Sequence, residues 1–170
     1  MKQLICCIAL LIATQGFSQP DKSKRPSPPA LVKQTLASGA TVSIDYSQPS
    51  VKGRTIGVDL EPMPAKVWRT GANEATVFET DKDVKVEGKL LPAGKYALFS
   101  IVDGETWTFI FNKTWKQWGA FGYKDAEDAL RIQVAGTKAV DFSEQLNFQI
   151  SEVGLVTLNW GDRQVSFRVE

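Results

Sequence analysis

The chain has 170 residues, with 20 basic and 19 acidic side chains, no histidine, and two cysteines, Cys6 and Cys7, near its N-terminus. If residues 1–18 are a cleaved signal peptide, the remaining chain has neither imidazole nor thiol, which excludes Ser-His-Asp and Cys-His catalysis, zinc sites of His or Cys, and His-ligated haem. Because the charges balance, the protein has no overall field that attracts nucleic acid, and we expect no nucleic-acid partner, metal site or cofactor.

Residues 1–18 are predicted to be a signal peptide. A cationic start, Met1-Lys2-Gln3, precedes an apolar run of about ten residues, which suits a signal peptide and is too short to span a bilayer. Small residues follow up to Ser18, so we expect cleavage there and a periplasmic or secreted protein with no integral membrane segment. Cys6 and Cys7 leave a lipoprotein as the alternative, but they lie inside the apolar run, which favours an ordinary cleavable signal.

Residues 19–29 are rich in proline and charge and have no apolar periodicity. This composition is typical of an extended, partly disordered leader. Pro26, Pro28 and Pro29 could bind a partner that recognises proline, but a tether is the simpler interpretation. Residues 30–170 suffice for one β domain with one core, without an internal repeat or a second boundary.

The sequence after the leader alternates apolar and polar residues with a period of two, as β-strands do. Residues 96–101 are apolar on both faces, which predicts a central strand. Other alternating segments centre on Val42-Ile44-Tyr46, Val84-Val86, Trp107-Phe109-Phe111, Leu130-Ile132-Val134, Leu146-Phe148-Ile150, Val156-Leu158-Trp160 and Val165-Phe167-Val169. They predict an all-β protein, an antiparallel β-sandwich or flattened barrel of roughly 8–10 short strands with minimal helix.

Glycine-containing pairs between these segments predict hairpins. Asp103-Gly104 and Gly161-Asp162 are the strongest signals, because their residues tolerate positive φ. Residues 92–94, Pro-Ala-Gly, predict a turn, and Glu87-Gly88 is a weaker case. Residues 124–130 are the one stretch expected to form a helical turn.

Two irregular segments interrupt the strands. Residues 47–66 contain several Pro and Gly residues and lead into residues 68–76, which hold Trp, Arg, Gly, Asn and Glu in one short run. Residues 112–123 interleave aromatic side chains with glycine. Long loops in compact domains are commonly functional, so we expect the second segment to line a groove where a flat ligand stacks.

Several strings, in this order, are similar to one known family: Ser27-Pro28, Tyr46 with Pro49, Gly53-Arg54, residues 68–76 (WRTGANEAT), residues 91–99 (LPAGKYALF), Asn112-Lys113 and Trp118-Gly119. The chain resembles the domain of unknown function 2911 family, secreted bacterial proteins mostly from Bacteroidetes. The resemblance covers about residues 27–170. It implies an exported, single-domain, mainly β protein, and it implies no activity.

We predict a ligand site in which four polar side chains converge on one pocket. These are Arg54, Arg69, Asn73 and Glu74, walled by Tyr46 and the Trp118 loop, with Asn112 as a further ligand-binding residue. The two arginines could clamp a carboxylate or phosphate. The alternative is that they form structural ion pairs with Asp59, Glu61 or Glu74.

The function that best fits this predicted site is a binding module for a small anionic or carbohydrate ligand. The first alternative is a structural or interaction protein of the cell envelope, in which residues 68–76 form a structural plug. The second is a carboxylate-dependent hydrolase that uses Glu74. Glycosidases need two carboxyl groups, and only Glu74 has a persuasive context, so we do not favour an enzyme.

Overall fold

The computed structural model describes residues 21–170, which contain nine β-strands and two short 3-10 helices. The strands are β1 Pro29–Thr35, β2 Thr41–Ser47, β3 Val77–Thr80, β4 Val84–Val86, β5 Lys89–Leu91, β6 Gly94–Asp103, β7 Thr106–Asn112, β8 Asp128–Ile150 and β9 Leu155–Arg168. The 3-10 helices span Lys22–Lys24 and Asp125–Glu127. The predicted signal peptide, residues 1–18, lies outside the described residues.

Seven strands form one antiparallel sheet in the order β1-β2-β3-β6-β7-β8-β9, and β4 and β5 form a separate hairpin. The large sheet curls, so that its edge strand β1 contacts β8. This confirms the predicted all-β antiparallel class with minimal helix. Across residues 21–170, no helix is long and apolar enough to cross a membrane.

The alternation of apolar residues places one face of the sheet in the core. In β2, Val42 and Ile44 are fully buried, while the intervening Ser43 and Asp45 point to the other face. Large aromatic side chains such as Trp107 and Trp160 fill the interior of the curl. Burial of each large apolar side chain contributes about 1.5–3 kcal/mol, so this face provides most of the stability.

The central strand β6 is buried on both faces, as its sequence predicted. Leu98 faces the main core, whereas Ala97 and Phe99 face a second, smaller cluster with Ile110. This second cluster lies on the outer face of the sheet and is packed against side chains from residues 67–75 and 120–123. The two irregular segments therefore meet over the centre of the sheet, and this packing positions the site described below.

The hairpin predicted at Asp103-Gly104 is confirmed, since Asp103 pairs with Thr106 and Gly104 has a φ of 58°. The weaker signal, Glu87-Gly88, also forms a hairpin. Both of its central residues have positive φ, 48° and 75°, as a type I′ turn requires. The turn at residues 92–94 and the helical turn within residues 124–130 are present too.

The hairpin predicted at Gly161-Asp162 is wrong, and so is the expectation that all strands are short. Gly161 lies inside β9, which is 14 residues long, and its partner β8 is 23 residues long. The register between them shifts on both sides of Ser143. Gly161 has a φ of 62°, and a Cβ there would clash with Ile56. The positive φ therefore serves a bulge that keeps the chain in the sheet.

Candidate functional site

A cleft of about 430 Å³ opens on the outer face of the sheet, between β2, the N-terminal residues and residues 112–123, which we call the aromatic loop. We call it the Glu74 cleft. Its lining residues are Lys22, Arg25, Pro29, Asp45, Tyr46, Ser47, Glu74, Ala75, Val77, Trp115, Lys116, Gln117 and Trp118.

Residues 68–76 support this cleft by folding against the edge of β6. Trp68 and Ser100 exchange two backbone hydrogen bonds, each 2.8 Å long. The indole of Trp68 is buried, and its Nε1 donates to the carbonyl oxygen of Gly71 at 3.0 Å. The first half of this run is therefore a buried structural element.

Gly71 is needed where the run turns back on itself. A Cβ there would lie 2.8 Å from Oγ1 of Thr76 and 3.1 Å from the carbonyl oxygen of Ser47. Oγ1 of Thr76 donates to the carbonyl oxygen of Thr70 at 3.0 Å, which closes the turn. The closed turn presents the next residues, Asn73 and Glu74, at its outer surface.

Glu74 and Trp118 are partners in an isolated antiparallel bridge. The backbone N–H of Ala75 donates to the carbonyl oxygen of Gln117 at 3.0 Å, and the N–H of Gly119 donates to that of Asn73 at 3.1 Å. The two irregular segments thus join through their backbones, which places the Glu74 carboxylate beside an indole that is 56% exposed.

Residues 21–28, which the composition predicted to be part of a tether, lie against this cleft. We call them the N-terminal strap. Nη1 of Arg25 donates to both carboxylate oxygens of Glu74, at 3.1 and 2.8 Å, and Nζ of Lys22 lies 3.1 Å from Oε1. Nδ2 of Asn73 donates to the carbonyl oxygen of Ser27 at 3.0 Å.

Each tryptophan of the cleft has a cation near its ring. Cζ of Arg25 lies 6.0 Å from the ring centre of Trp118, and Nζ of Lys95 lies 5.3 Å from that of Trp115. Lys95 also pairs with Glu79 at 3.2 Å. The cleft therefore combines indole faces, carboxylates and cations.

The two carboxyl groups of the cleft have pKa values shifted in opposite directions. Burial raises the pKa of Asp45; Lys22 and Lys95 oppose this shift, whereas the Glu74 carboxylate adds to it. Burial would also raise the pKa of Glu74, but hydrogen bonds from its own backbone N–H, Arg25 and Lys22 outweigh burial and lower it. Burial thus favours the protonated form of Asp45, whereas the hydrogen bonds favour the ionised form of Glu74.

Arg54 does not join the other predicted site residues. It lines a second, more open cleft of about 830 Å³, beside the bulge of β8 and β9. Its Nε and Nη2 donate to the backbone carbonyl oxygens of Val51 and Ser50, at 3.1 and 2.8 Å. The predicted convergence of four residues is therefore corrected, because Arg54 is held by the loop that carries it.

Arg69 lies behind the aromatic loop, outside the lining of the Glu74 cleft. Its Nε is buried and has no hydrogen-bond partner among residues 21–170. Burial lowers the pKa of its guanidinium, with partial compensation from the charge of Glu61. Within the described residues, neither Arg54 nor Arg69 is within 4.0 Å of a carboxylate oxygen, so the alternative of structural ion pairs for these arginines is also wrong.

Tyr46, Asn73 and Asn112 have structural contacts. The Tyr46 ring packs edge-on against Phe148 in the core, and its hydroxyl accepts from the Phe148 N–H at 3.1 Å. Asn73 links the strap to the aromatic loop. Asn112 is fully buried and lies outside the cleft lining; it donates to the carbonyl oxygen of Lys124 and to Oδ1 of Asp128.

A polar network anchors the far end of the aromatic loop. The Tyr123 hydroxyl donates to Oδ2 of Asp128 at 2.9 Å and accepts from Arg131 at 2.6 Å. Burial, together with the hydrogen bond and the charge of Asp128, raises the pKa of Tyr123 to about 12. With Asn112 holding the start of the loop, the segment that carries Trp115 and Trp118 is fixed at both ends.

Sequence reasoning missed Lys22, Arg25 and Asp45. Asp45 had a signal, because it is the polar residue between Ile44 and Tyr46 and so points away from the core. Lys22 and Arg25 are three residues apart, and Asp21 caps the intervening turn by accepting from the Ser23 N–H at 3.0 Å. That spacing aligns side chains on a 3-10 turn, but nothing in it names Glu74 as the partner.

Among residues 21–170, no group of three or more His, Cys, Asp or Glu side chains is placed to hold a metal ion. A family model described as "Protein of unknown function (DUF2911)" matches residues 27–169. No curated protein and no solved structure matches the chain.

Proposed function

The chain belongs to the DUF2911 family of proteins of unknown function, and from this premise we propose that it is an exported binding module whose Glu74 cleft takes a carbohydrate. The single observation that carries the proposal is the position of Trp118, an exposed indole directly beside the Glu74 carboxylate. An aromatic face packs against the C–H side of a sugar ring, and neighbouring polar groups orient it through its hydroxyls.

The other polar groups of the cleft support the same ligand class. Asp45 lines the cleft with Glu74, and its carboxylate oxygens are acceptors for sugar hydroxyl groups. Trp115, which is 38% exposed, adds a second apolar surface.

A small anionic ligand is the second candidate. It is favoured by Lys22, Arg25 and Lys116, which give the cleft three cations against the carboxylates of Asp45 and Glu74. Because the Glu74 carboxylate lies against Lys22 and Arg25, an anion bound to these cations would be repelled by that carboxylate, whereas an uncharged sugar would not be repelled. The carbohydrate is therefore preferred.

Glycoside hydrolysis is a further candidate, because two carboxyl groups share the cleft. A carboxyl group whose protonated form is favoured and a second one whose ionised form is favoured suit the roles of acid and base. Asp45 would be the acid and Glu74 the base or nucleophile, from the directions of their shifts. Release of reducing sugar from a bound oligosaccharide, abolished in Asp45→Asn, would support hydrolysis; binding without turnover would leave the binding module.

Saccharide binding tests the main proposal. A glycan array would select a ligand, and calorimetry would give its affinity for the wild type, Trp118→Ala and Phe121→Ala. Phe121 is the matched control, because it lies in the same loop, is 89% exposed and does not line the cleft. We expect Trp118→Ala to weaken binding about tenfold or more and Phe121→Ala to leave it unchanged. Equal losses in both variants, or no saccharide bound, would contradict the proposal.

A further inference from the structure

The N-terminal strap occupies the ligand-recognising groups of the Glu74 cleft. We propose that it is a displaceable, autoinhibitory lid, and that a saccharide binds only after residues 21–25 have left Glu74 and Trp118. The competition with a saccharide rests on the proposed function; the docking and release of the strap do not.

The strap contacts both oxygens of the Glu74 carboxylate. Oε1 lies 3.1 Å from both Nζ of Lys22 and Nη1 of Arg25, and Oε2 lies 2.8 Å from Nη1 of Arg25. A sugar hydroxyl that donates to either oxygen therefore competes with a charge-assisted contact.

Arg25 also covers the indole of Trp118. Cζ of Arg25 lies 6.0 Å from the ring centre of Trp118, within the range of a cation–π contact. A ring stacked on that face of Trp118 would need the space that the guanidinium occupies. One side chain thus blocks both groups that the proposed ligand requires.

The strap has a defined local structure that favours its contact with Glu74. Asp21 accepts from both the backbone N–H and the hydroxyl of Ser23, at 3.0 and 2.7 Å. The capped 3-10 turn places residues three apart on one side, so Lys22 and Arg25 reach the same carboxylate. Lys24, between them, makes no contact with Glu74.

Of the strap, only residues 21–25 can be released easily. The far half is tied down by the Ser27–Asn73 hydrogen bond and by the Gln48 N–H, which donates to the carbonyl oxygen of Pro28 at 2.9 Å. Among the described residues, the hydrogen bonds from residues 21–25 to the rest of the domain end on Glu74 alone. The strap is therefore expected to open by swinging about Pro26.

The ion pairs are exposed enough to break. The side chains of Lys22, Arg25 and Glu74 are 52%, 27% and 40% exposed. Such pairs are individually weak and are screened by salt. Added salt should therefore open the strap and raise the apparent affinity for a neutral saccharide, the opposite of the effect expected for a ligand held by surface charges.

Limited trypsin cleavage tests the strap without any ligand. Trypsin cuts after Lys22 and Lys24, and when opening is fast the rate follows the population of the open form. We expect Glu74→Gln to be cut about threefold faster than the wild type, and added salt to accelerate cleavage in the wild type but hardly in Glu74→Gln. Equal rates in the two proteins, at low salt, would overturn the lid.

Saccharide affinity tests the competition. The apparent dissociation constant equals the intrinsic constant divided by the fraction of protein whose strap is open. Lys22→Gln/Arg25→Gln should therefore bind the selected saccharide about tenfold more tightly. Lys24→Gln, in the same turn, is the control and should bind like the wild type. Weaker binding by the double variant would make the strap a wall of the site and overturn the competition. If no variant binds a saccharide, the proposed function fails, while the trypsin rates still decide whether the strap is released.

Discussion

Glu74 and Trp118 lie directly opposite each other in a two-residue bridge between loops that are far apart in the sequence. The bridge is made by backbone atoms, and Asn73 supports it from one side by accepting the Gly119 N–H at 3.1 Å through its carbonyl oxygen. Because Asn73 has a φ of 59°, the chain turns sharply just before Glu74 and aims the carboxylate at the cleft. The neighbouring charges therefore act on a rigidly placed group.

At a constant salt concentration, the contact between the strap and Glu74 should be lost only in acid. The pKa of Glu74 is lower than its ordinary value of 4.5, so its stabilising contribution is fully present above that value and disappears as the pH falls through the lowered pKa. Carbon NMR of the Glu74 carboxyl, with the Arg25 amide as a reporter of the strap, would follow both changes. A titration at or above 4.5 would contradict the assignment.

In urea, Glu74→Gln should cost less than about 1 kcal/mol, because the pair is exposed.

Gly71→Ala should destabilise the protein by about 1–3 kcal/mol, because the added methyl group overpacks a closed turn. The new Cβ would lie 2.8 Å from Oγ1 of Thr76 and 3.1 Å from a backbone oxygen of Ser47, and the backbone cannot yield easily. Urea denaturation gives the loss. Gly122→Ala is the control, since its nearest neighbour is the flexible side chain of Gln117 at 3.1 Å; a similar loss in both variants would refute the crowding argument.

Asn112→Ala should cost about 1–3 kcal/mol, because it leaves buried groups without partners. The side chain donates to the Lys124 carbonyl oxygen and the Asp128 carboxylate, and accepts from the Thr114 N–H at 3.0 Å. Amide hydrogen exchange should also speed up across residues 113–124. Gln149→Ala, at an exposed position of β8, should stay within about 0.5 kcal/mol of the wild type. Unchanged stability in Asn112→Ala would show that the loop is anchored elsewhere.

Arg69→Met should be neutral or stabilising by about 1 kcal/mol, since it removes a buried donor without a partner while keeping most of the side-chain volume. The Nε of Arg69 has no partner among the described residues, and burial lowers the pKa of the group. Urea denaturation measures the change, with Arg168→Met as an exposed control. A loss of several kcal/mol would contradict this expectation and show that the guanidinium stabilises the folded protein.

The protein recovered from its natural host should begin near Gln19. The cationic start, the apolar run and the small residues up to Ser18 predict this cleavage. Intact-mass spectrometry of the native protein would decide it. A mass that includes Met1, or a lipidated cysteine at position 6 or 7, would show that the predicted signal peptide is wrong.

Much of the fold could be predicted because its determinants are local. Alternation at Val42, Ile44 and Tyr46 places those residues on one buried face, and the doubly apolar β6 is central. Gly104 forms its hairpin as expected. The same local logic failed at Gly161, where a glycine with positive φ serves equally a hairpin or a bulge, and only the pairing of β8 with β9 selects the bulge.

The sequence by itself determined the strand class and the absence of imidazole from the whole chain. The tertiary structure alone decided that Glu74 meets Arg25 and Lys22, that Asp45 shares its cleft, and that Arg54 lies in another one. The physical reason is range. Side-chain alternation and turn geometry depend on neighbouring residues, whereas the partner of a charged side chain depends on which distant backbone segments pack together. In this protein, the distant segments that pack together are the two loops joined by the bridge between Glu74 and Trp118, and the strap that lies across it.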